Sequence, residues 1–187
     1  MGGSSSLQVV MVGLEGTGKT TLLYRLKFGQ YTSSIPTIGF NRETVEAPIV
    51  EGKSKGMSFI IWDIGGKDNM RPLWKSYLRS ADGVLFVVDS SDREGAEEAR
   101  MELMRLVHTQ SLHCVLPIVV VANKQDLPDA MSLQEVSKVM GVPELQAASH
   151  PCRLMPACAV TGEGLPEAMD TMYEMVNKWK KSKGKNR

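Results

Sequence analysis

The stretch GLEGTGKT, residues 13–20, constrains the fold of this chain more than any other. It fits G-x-x-x-x-G-K-[S/T]. It also lies between an apolar run that reads as a strand, Leu7–Val12, and a segment that carries Leu22, Leu23 and Leu26 at helical spacing. Glycines 13, 16 and 18 let the backbone fold so that successive N–H groups face a polyphosphate, beside a helix N-terminus that favours anions. Lys19 is then expected to reach the β- and γ-phosphates, and the Thr20 hydroxyl to join Mg2+. A plain Gly-rich surface turn is the alternative, and the strand–loop–helix context weighs against it.

The rest of the chain continues the alternation. Two β-rich segments at 41–49 and 57–63 are separated by the polar EGKSKG, which suits the bend of an antiparallel hairpin. Then follow VLFVVD (84–89), a helix from about Asp92 to Gln110, and PIVVVAN (117–123). Ser132 with Glu135 forms a capping box that opens a further helix, and Gly141 is placed to close it. A short strand at 153–157 precedes a last helix from Pro166, whose Met169, Met172, Met175, Val176 and Trp179 recur at core spacing. Strands buried on both faces and alternating with helices predict an α/β fold of the P-loop NTPase kind. Its sheet is six-stranded, mostly parallel and flanked by helices, with ligands at the carboxyl ends of the strands. We expect one globular domain over 7–180, a leader at 1–6 and a basic tail at 181–187.

Composition narrows the function classes. At 187 residues, 42% hydrophobic and 23% charged, the chain suits one soluble domain, and a net charge of +1 gives no global reason to expect nucleic acid as a partner. The charge is lopsided only in KWKKSKGKNR, where Lys178, Lys180, Lys181, Lys183, Lys185 and Arg187 meet no acid. Such an end is a solvated tail, a binder of anionic lipid or a nuclear import signal. Cys114, Cys152 and Cys158 lack metal-ligand spacing, so reduced thiols in an intracellular protein are expected, and His108, His113 and His150 are read as structural or surface residues. No apolar run approaches a membrane span and no signal peptide opens the chain. MGGSSS does fit M-G-x-x-x-[S/T], with Gly2 as a myristoylation site, and a flexible leader is the alternative.

Further motifs name the ligand. Asp63 ends the third strand and is expected to hold the metal through a water, while Gly66 offers its N–H to a γ-phosphate. Thr37, in IPTIGFN, is placed to complete the Mg2+ shell. NKQD, at 123–126, identifies the base. Asp126 has two acceptors for the N1–H and exocyclic amine of guanine, a donor pair that adenine lacks. Asn123 is expected to meet the purine edge and brace the loops, Lys124 to lie over the ring, and Ala159 to give its N–H to O6. Glu15, Thr17, Thr21, Cys158 and Val160 complete the expected nucleotide contacts. A P-loop kinase or ATPase would not need the second motif, so GTP/GDP with Mg2+ is the expected ligand.

With these residues in place, the chain resembles the Arf-like branch of the Ras-type small GTPases over about residues 7–180. GLEGTGKTTLLYRL, IPTIGFN, WDIGG, RPLWKSY and ANKQDLP carry the resemblance. It implies a GTP/GDP switch in which Thr37 and Gly66 sense the γ-phosphate and the intervening hairpin shifts register. It further implies an effector surface at Phe40, Trp62 and Tyr77. The implied partners are an exchange factor, a GTPase-activating protein and effectors, with an anionic membrane surface as a further partner. The expected location is cytoplasmic, with peripheral membrane association or nuclear entry. The chain departs from the branch in three ways. Its hairpin is long, which with the basic end resembles the type-4 subgroup of Arf-like proteins. Its leader has only Leu7 as a sizeable apolar residue, where the branch commonly has an amphipathic helix. Lys67 stands where glutamine is usual.

Lys67 bears directly on catalysis. A glutamine can accept a hydrogen bond from the attacking water and donate to the phosphate, whereas lysine has donors only. Slow intrinsic hydrolysis is therefore expected, with Gly66 and Lys67 as the catalytic positions. Lys67 pointing to solvent, mimicking an arginine finger or pairing with Asp68 are the weaker readings. The rival function is an interaction module that stays loaded with GTP. A nucleotide-empty scaffold fits poorly with Lys19, Thr20, Thr37, Asp63, Asn123 and Asp126 all present.

Overall fold

The computed structural model of the chain describes residues 6–47, 52–109 and 115–185. Leu7–Val12 forms β1 in the centre of a six-stranded sheet ordered β2-β3-β1-β4-β5-β6. Strands β3 (Ser58–Ile64), β4 (Gly83–Asp89), β5 (Ile118–Asn123) and β6 (Cys152–Pro156) run parallel to it through the sheet, and only β2 (Phe40–Glu46) is antiparallel, paired with β3. Every residue of β5 is buried, as a strand covered on both faces requires, while the edge strand β2 alternates between exposed and more covered positions.

Helices cover both faces. On one, α3 (Arg93–Thr109) and α4 (Leu133–Met140) set Ala99, Leu103, Val136 and Met140 against Val12, Phe86 and Val120. On the other, α1 (Lys19–Phe28) and α6 (Leu165–Lys185) set Leu22, Leu23, Met169 and Met172 against Val9, Met11 and Val87. The methionines of the last helix are core filling, as their spacing predicts. The capping box is present: Ser132 accepts from the Glu135 N–H, Glu135 accepts from the Ser132 N–H, and Gly141 closes the helix in the left-handed region.

Two short helices escape the sequence pattern: α2 (Trp74–Tyr77), flanked by 3-10 turns, and α5 (Val142–Ala147). Neither is long enough to show a period of 3.6 residues. The hairpin strands stop farther from the turn than predicted, at Glu46 and Ser58, and reach one residue further at the other end, to Phe40 and Ile64. The last helix runs on through Lys185, so the basic residues from Lys178 belong to its final turns. Gly2, His113, Cys114 and Arg187 lie outside the described residues. Among the described residues no helix is long and apolar enough to cross a membrane.

Candidate functional site

Parallel strands deliver their loops to one edge of the sheet, and the predicted motifs converge there. The loop after β1 bends through Gly13, Gly16 and Gly18, all at positive φ, before α1 begins at Lys19. Lys19 is buried and its ammonium donates to the Leu14 carbonyl at 2.9 Å. Burial lowers its pKa to about 8, against the opposing pull of the carboxylates of Asp63 and Glu15. Thr17 donates to the same carbonyl at 3.0 Å, so Leu14 ties the loop to itself from two directions. Thr21 is at the rim, 3.0 Å from the Ser34 hydroxyl.

Thr20, Thr37 and Asp63 come together although 43 residues separate the first from the last. The Thr20 hydroxyl donates to Asp63 Oδ2 at 2.6 Å and lies 2.7 Å from the Thr37 hydroxyl. Asn41, which sequence reasoning did not single out, donates to Asp63 Oδ2 at 3.1 Å. Asp63 is fully buried, yet its other oxygen, Oδ1, has no hydrogen-bond partner among the described residues. A buried carboxylate with a spare lone pair beside two hydroxyls is an all-oxygen donor set of the kind that a hard divalent cation takes. The residues therefore fit Mg2+ held by Thr20, Thr37 and Asp63.

Gly66 packs directly on the phosphate loop. A Cβ at this position would lie 2.3 Å from the Gly13 carbonyl oxygen and 2.6 Å from the Glu15 nitrogen. The contact carries Lys67 to the mouth of a pocket of about 390 Å³ shared with Glu15, Lys19, Thr37 and Gly66. Its ammonium is 3.7 Å from Glu15 Oε1, and both side chains are about half exposed. Asp68, a weaker candidate for pairing with Lys67, pairs with Arg71, at 2.8 Å. Two anchors behind the loop were also missed: Arg71 donates to the Gly66 carbonyl at 3.0 Å and Trp74 to the Gly65 carbonyl at 3.1 Å. Both lie within RPLWKSY, a recognisable motif whose spacing alone does not say which carbonyls it serves.

The base loops meet through Asn123. Its amide donates to the Thr17 carbonyl at 2.8 Å and its oxygen accepts from the Ala159 N–H at 2.9 Å. The bracing role is therefore present, and the Ala159 N–H expected to face O6 is engaged by Asn123 in this structure. Lys124, at φ +63°, donates to Asp89 Oδ2 at 2.5 Å, and this contact pushes the Asp89 carboxyl below its ordinary range against the effect of burial. Asp126 and Val160 are exposed at the open side, with Cys158 buried behind them. On the β2–β3 face Phe40, Trp62 and Tyr77 form one cluster, with ring centroids 5.5, 5.8 and 6.0 Å apart.

Residues 1–176 match the ADP-ribosylation factor family. The chain is a member of that family. It is 46% identical over 177 residues to human ADP-ribosylation factor-like protein 4C, covering 95% of this chain and 90% of that one. With mouse ADP-ribosylation factor-like protein 4D it shares 48% over 95% of this chain and 86% of the other. Among solved structures it is similar to the small GTPase Arl6 (BBS3) of Trypanosoma brucei, which was determined with the nucleotide analogue GppNp. The TM-score is 0.77 at 28% identity, covering 93% of this chain and 99% of that one. Arf-family proteins are GTP-binding switches that take GTP and GDP with Mg2+ and work with exchange factors, activating proteins and effectors.

Proposed function

We propose that this GTP-binding switch hydrolyses GTP slowly by itself because residue 67 is a lysine. The position of that side chain supports the reading: beside Gly66, at the mouth of the phosphate pocket and 3.7 Å from Glu15. Hydrolysis joins a water oxygen to the γ-phosphorus, breaks its bond to the β–γ bridging oxygen and releases a proton from the water. Thr20 and Thr37, with Asp63 through a water, would hold Mg2+, which would neutralise charge on the phosphate oxygens. The backbone N–H groups of residues 13–19 orient the phosphates, and Lys19 adds a fixed positive charge.

Lys67 has donors only, so at this position nothing accepts a hydrogen bond from the water as glutamine would. The Lys67–Glu15 pair, half exposed, contributes about 1 kcal/mol or less, so a γ-phosphate competes with it for the ammonium. An ammonium that contacts the phosphate equally before and during reaction tightens binding without raising the rate. It also lacks the planar fork by which arginine clamps a phosphoryl group.

The reading extends to surfaces. Phe40, about half exposed beside Trp62 and Tyr77, is the centre of the effector surface. The exposed Lys178, Lys180, Lys181 and Lys183 on the last turns of α6, with a myristoyl chain on Gly2, supply two signals for holding an anionic membrane from the cytoplasmic side. Nuclear import is the alternative use of the same charges.

The test is to identify the nucleotide released from the purified protein and measure single-turnover hydrolysis, with Lys67→Gln alongside. We expect mostly GTP in the native chain, mostly GDP in the variant, and a rate rise on the order of 10²-fold. GDP in both, with equal rates, would refute the role of Lys67. If no activating protein ever stimulates the native chain, it is the constitutively loaded interaction module.

A further inference from the structure

The tip of the β2–β3 hairpin is polar in sequence, Gly52-Lys53-Ser54-Lys55-Gly56, yet Ser54 is 2% exposed. It is covered by α6. The Ser54 N–H donates to Asp170 Oδ1 at 3.0 Å, and its hydroxyl donates to the same oxygen. Lys53 pairs with Glu174, one helical turn further along the same face. Gly52 is drawn in so closely that a Cβ there would lie 2.3 Å from Asp170 Oδ2. Three consecutive tip residues thus engage one stripe of the last helix, more than 110 residues away in sequence.

This contact is mechanically continuous with the nucleotide site. The Ser54 carbonyl accepts from the Met57 N–H at 2.9 Å, and β3 begins at the next residue. Strand β3 lies on β1 with Met11 opposite Asp63, and β2 pairs with it from Glu46–Ser58 to Phe40–Ile64, three residues beyond Thr37. That register puts Asp63 Oδ2 on the Thr20 hydroxyl, and the Trp62 indole N–H, 3.0 Å from Gln8 Oε1, pins the same alignment. A slip of β3 by one residue would turn Asp63 to the opposite face of the sheet. A slip by two would carry it, and the tip, about 7 Å along β1.

We propose that Ser54 and Asp170 are positioning residues for the nucleotide site, clasping the hairpin to α6 in the register that brings Asp63 and Thr37 to Thr20. A two-residue slip would carry the tip about 7 Å away from Asp170, so the clasp favours this register and the nucleotide that binds it better. With Thr37 and Asp63 as the metal shell, a reading on which the proposal rests, that nucleotide is GTP. Loosening the clasp shifts the preference toward GDP without touching either nucleotide.

The experiment measures the ratio of GDP to GTP dissociation constants by fluorescent-nucleotide competition with Mg2+ present, on the full chain. Asp170→Ala and Ser54→Ala are expected to lower the preference for GTP on the order of tenfold, the effect of losing hydrogen bonds to a charged group. Amide exchange across Phe40–Glu46 and Ser58–Ile64 in the GTP form is expected to quicken. Lys53→Glu, a solvent-facing change that leaves the buried serine intact, is expected to lower the ratio, and adding Glu174→Lys to restore it. A clasp that is only structural would cost thermal stability and leave the ratio unchanged, which overturns the proposal, as does a Lys53→Glu loss that Glu174→Lys fails to restore. Thr37→Ala, run beside them, separates the two claims. If it leaves the ratio unchanged, the metal-shell reading fails and takes the clasp with it. If it lowers the ratio while the clasp variants do not, only the clasp fails.

Discussion

Gly66 owes its role to an atom it lacks. Its N–H can approach a γ-phosphate because the residue lies flat on the backbone of Gly13–Glu15, and any Cβ would meet backbone atoms that have no freedom to move aside. Gly66→Ala should therefore weaken GTP binding about tenfold or more, the worth of a hydrogen bond to a charged group, and leave GDP binding unchanged. Competition between the two nucleotides reads this directly. His150 makes a prediction of a different kind. It is buried, its Nε2 has no hydrogen-bond partner among the described residues, and burial lowers its pKa below the ordinary 6.5 despite a backbone hydrogen bond at Leu116. The unfolded imidazole takes its proton near 6.5, and the folded one only at lower pH. Stability is therefore full above 6.5 and falls as pH drops from there through the folded pKa. Melting temperatures at pH 7.5 and 5.5 should show this loss in the native chain and a smaller one in His150→Gln.

At the scale of elements, local sequence and structure agree wherever a signal is both short-range and chemically specific. The box of Ser132 and Glu135 opens α4 because each side chain accepts from the other residue's backbone N–H across three residues. Ser132→Ala should cost about 1 kcal/mol, or roughly 2–4 °C in a domain of this size, with nucleotide affinity unchanged. Helix α2 shows the opposite case. Four residues cannot display a period, and the turn exists because Trp74 is buried against Phe86 while its N–H holds Gly65. Helix α5 likewise starts from the left-handed Gly141 and is held by the burial of Val142 and Leu145, which a six-residue window does not reveal.

At the scale of the whole molecule, a sheet with a core on each face leaves only its carboxyl edge and its perimeter for function. The perimeter includes the end of α6, where Lys178, Lys180, Lys181 and Lys183 are exposed, Lys180 reaches Asp82 at 2.7 Å and Lys183 lies over the Trp179 ring. Each lysine near an anionic bilayer contributes about 1 kcal/mol, a contribution that salt screens. Sedimentation with vesicles containing phosphatidylserine should thus show binding that falls steeply between low and high salt. A Lys178, Lys180, Lys181 and Lys183 to Gln variant should lose that salt-dependent part. Salt-independent or absent binding would overturn the electrostatic reading of these lysines.

The sequence alone determined the strand–loop–helix around Lys19, the identity of the base and the alternation of strands and helices along the chain, because each rests on residues adjacent in the chain or on the buried, apolar character of whole strands. It also exposed Lys67 as chemically unlike glutamine, since that difference belongs to the side chain itself. Only the tertiary structure decided that Lys67 faces Glu15 and not Asp68, that Asn123 engages the Ala159 N–H, and that Ser54 lies under α6 on Asp170. In each of these a polar group chose among several partners of nearly equal intrinsic worth. Packing made the choice, through the flat contact of Gly66 on the phosphate loop, the meeting of β5 and β6, and the register of β3 on β1.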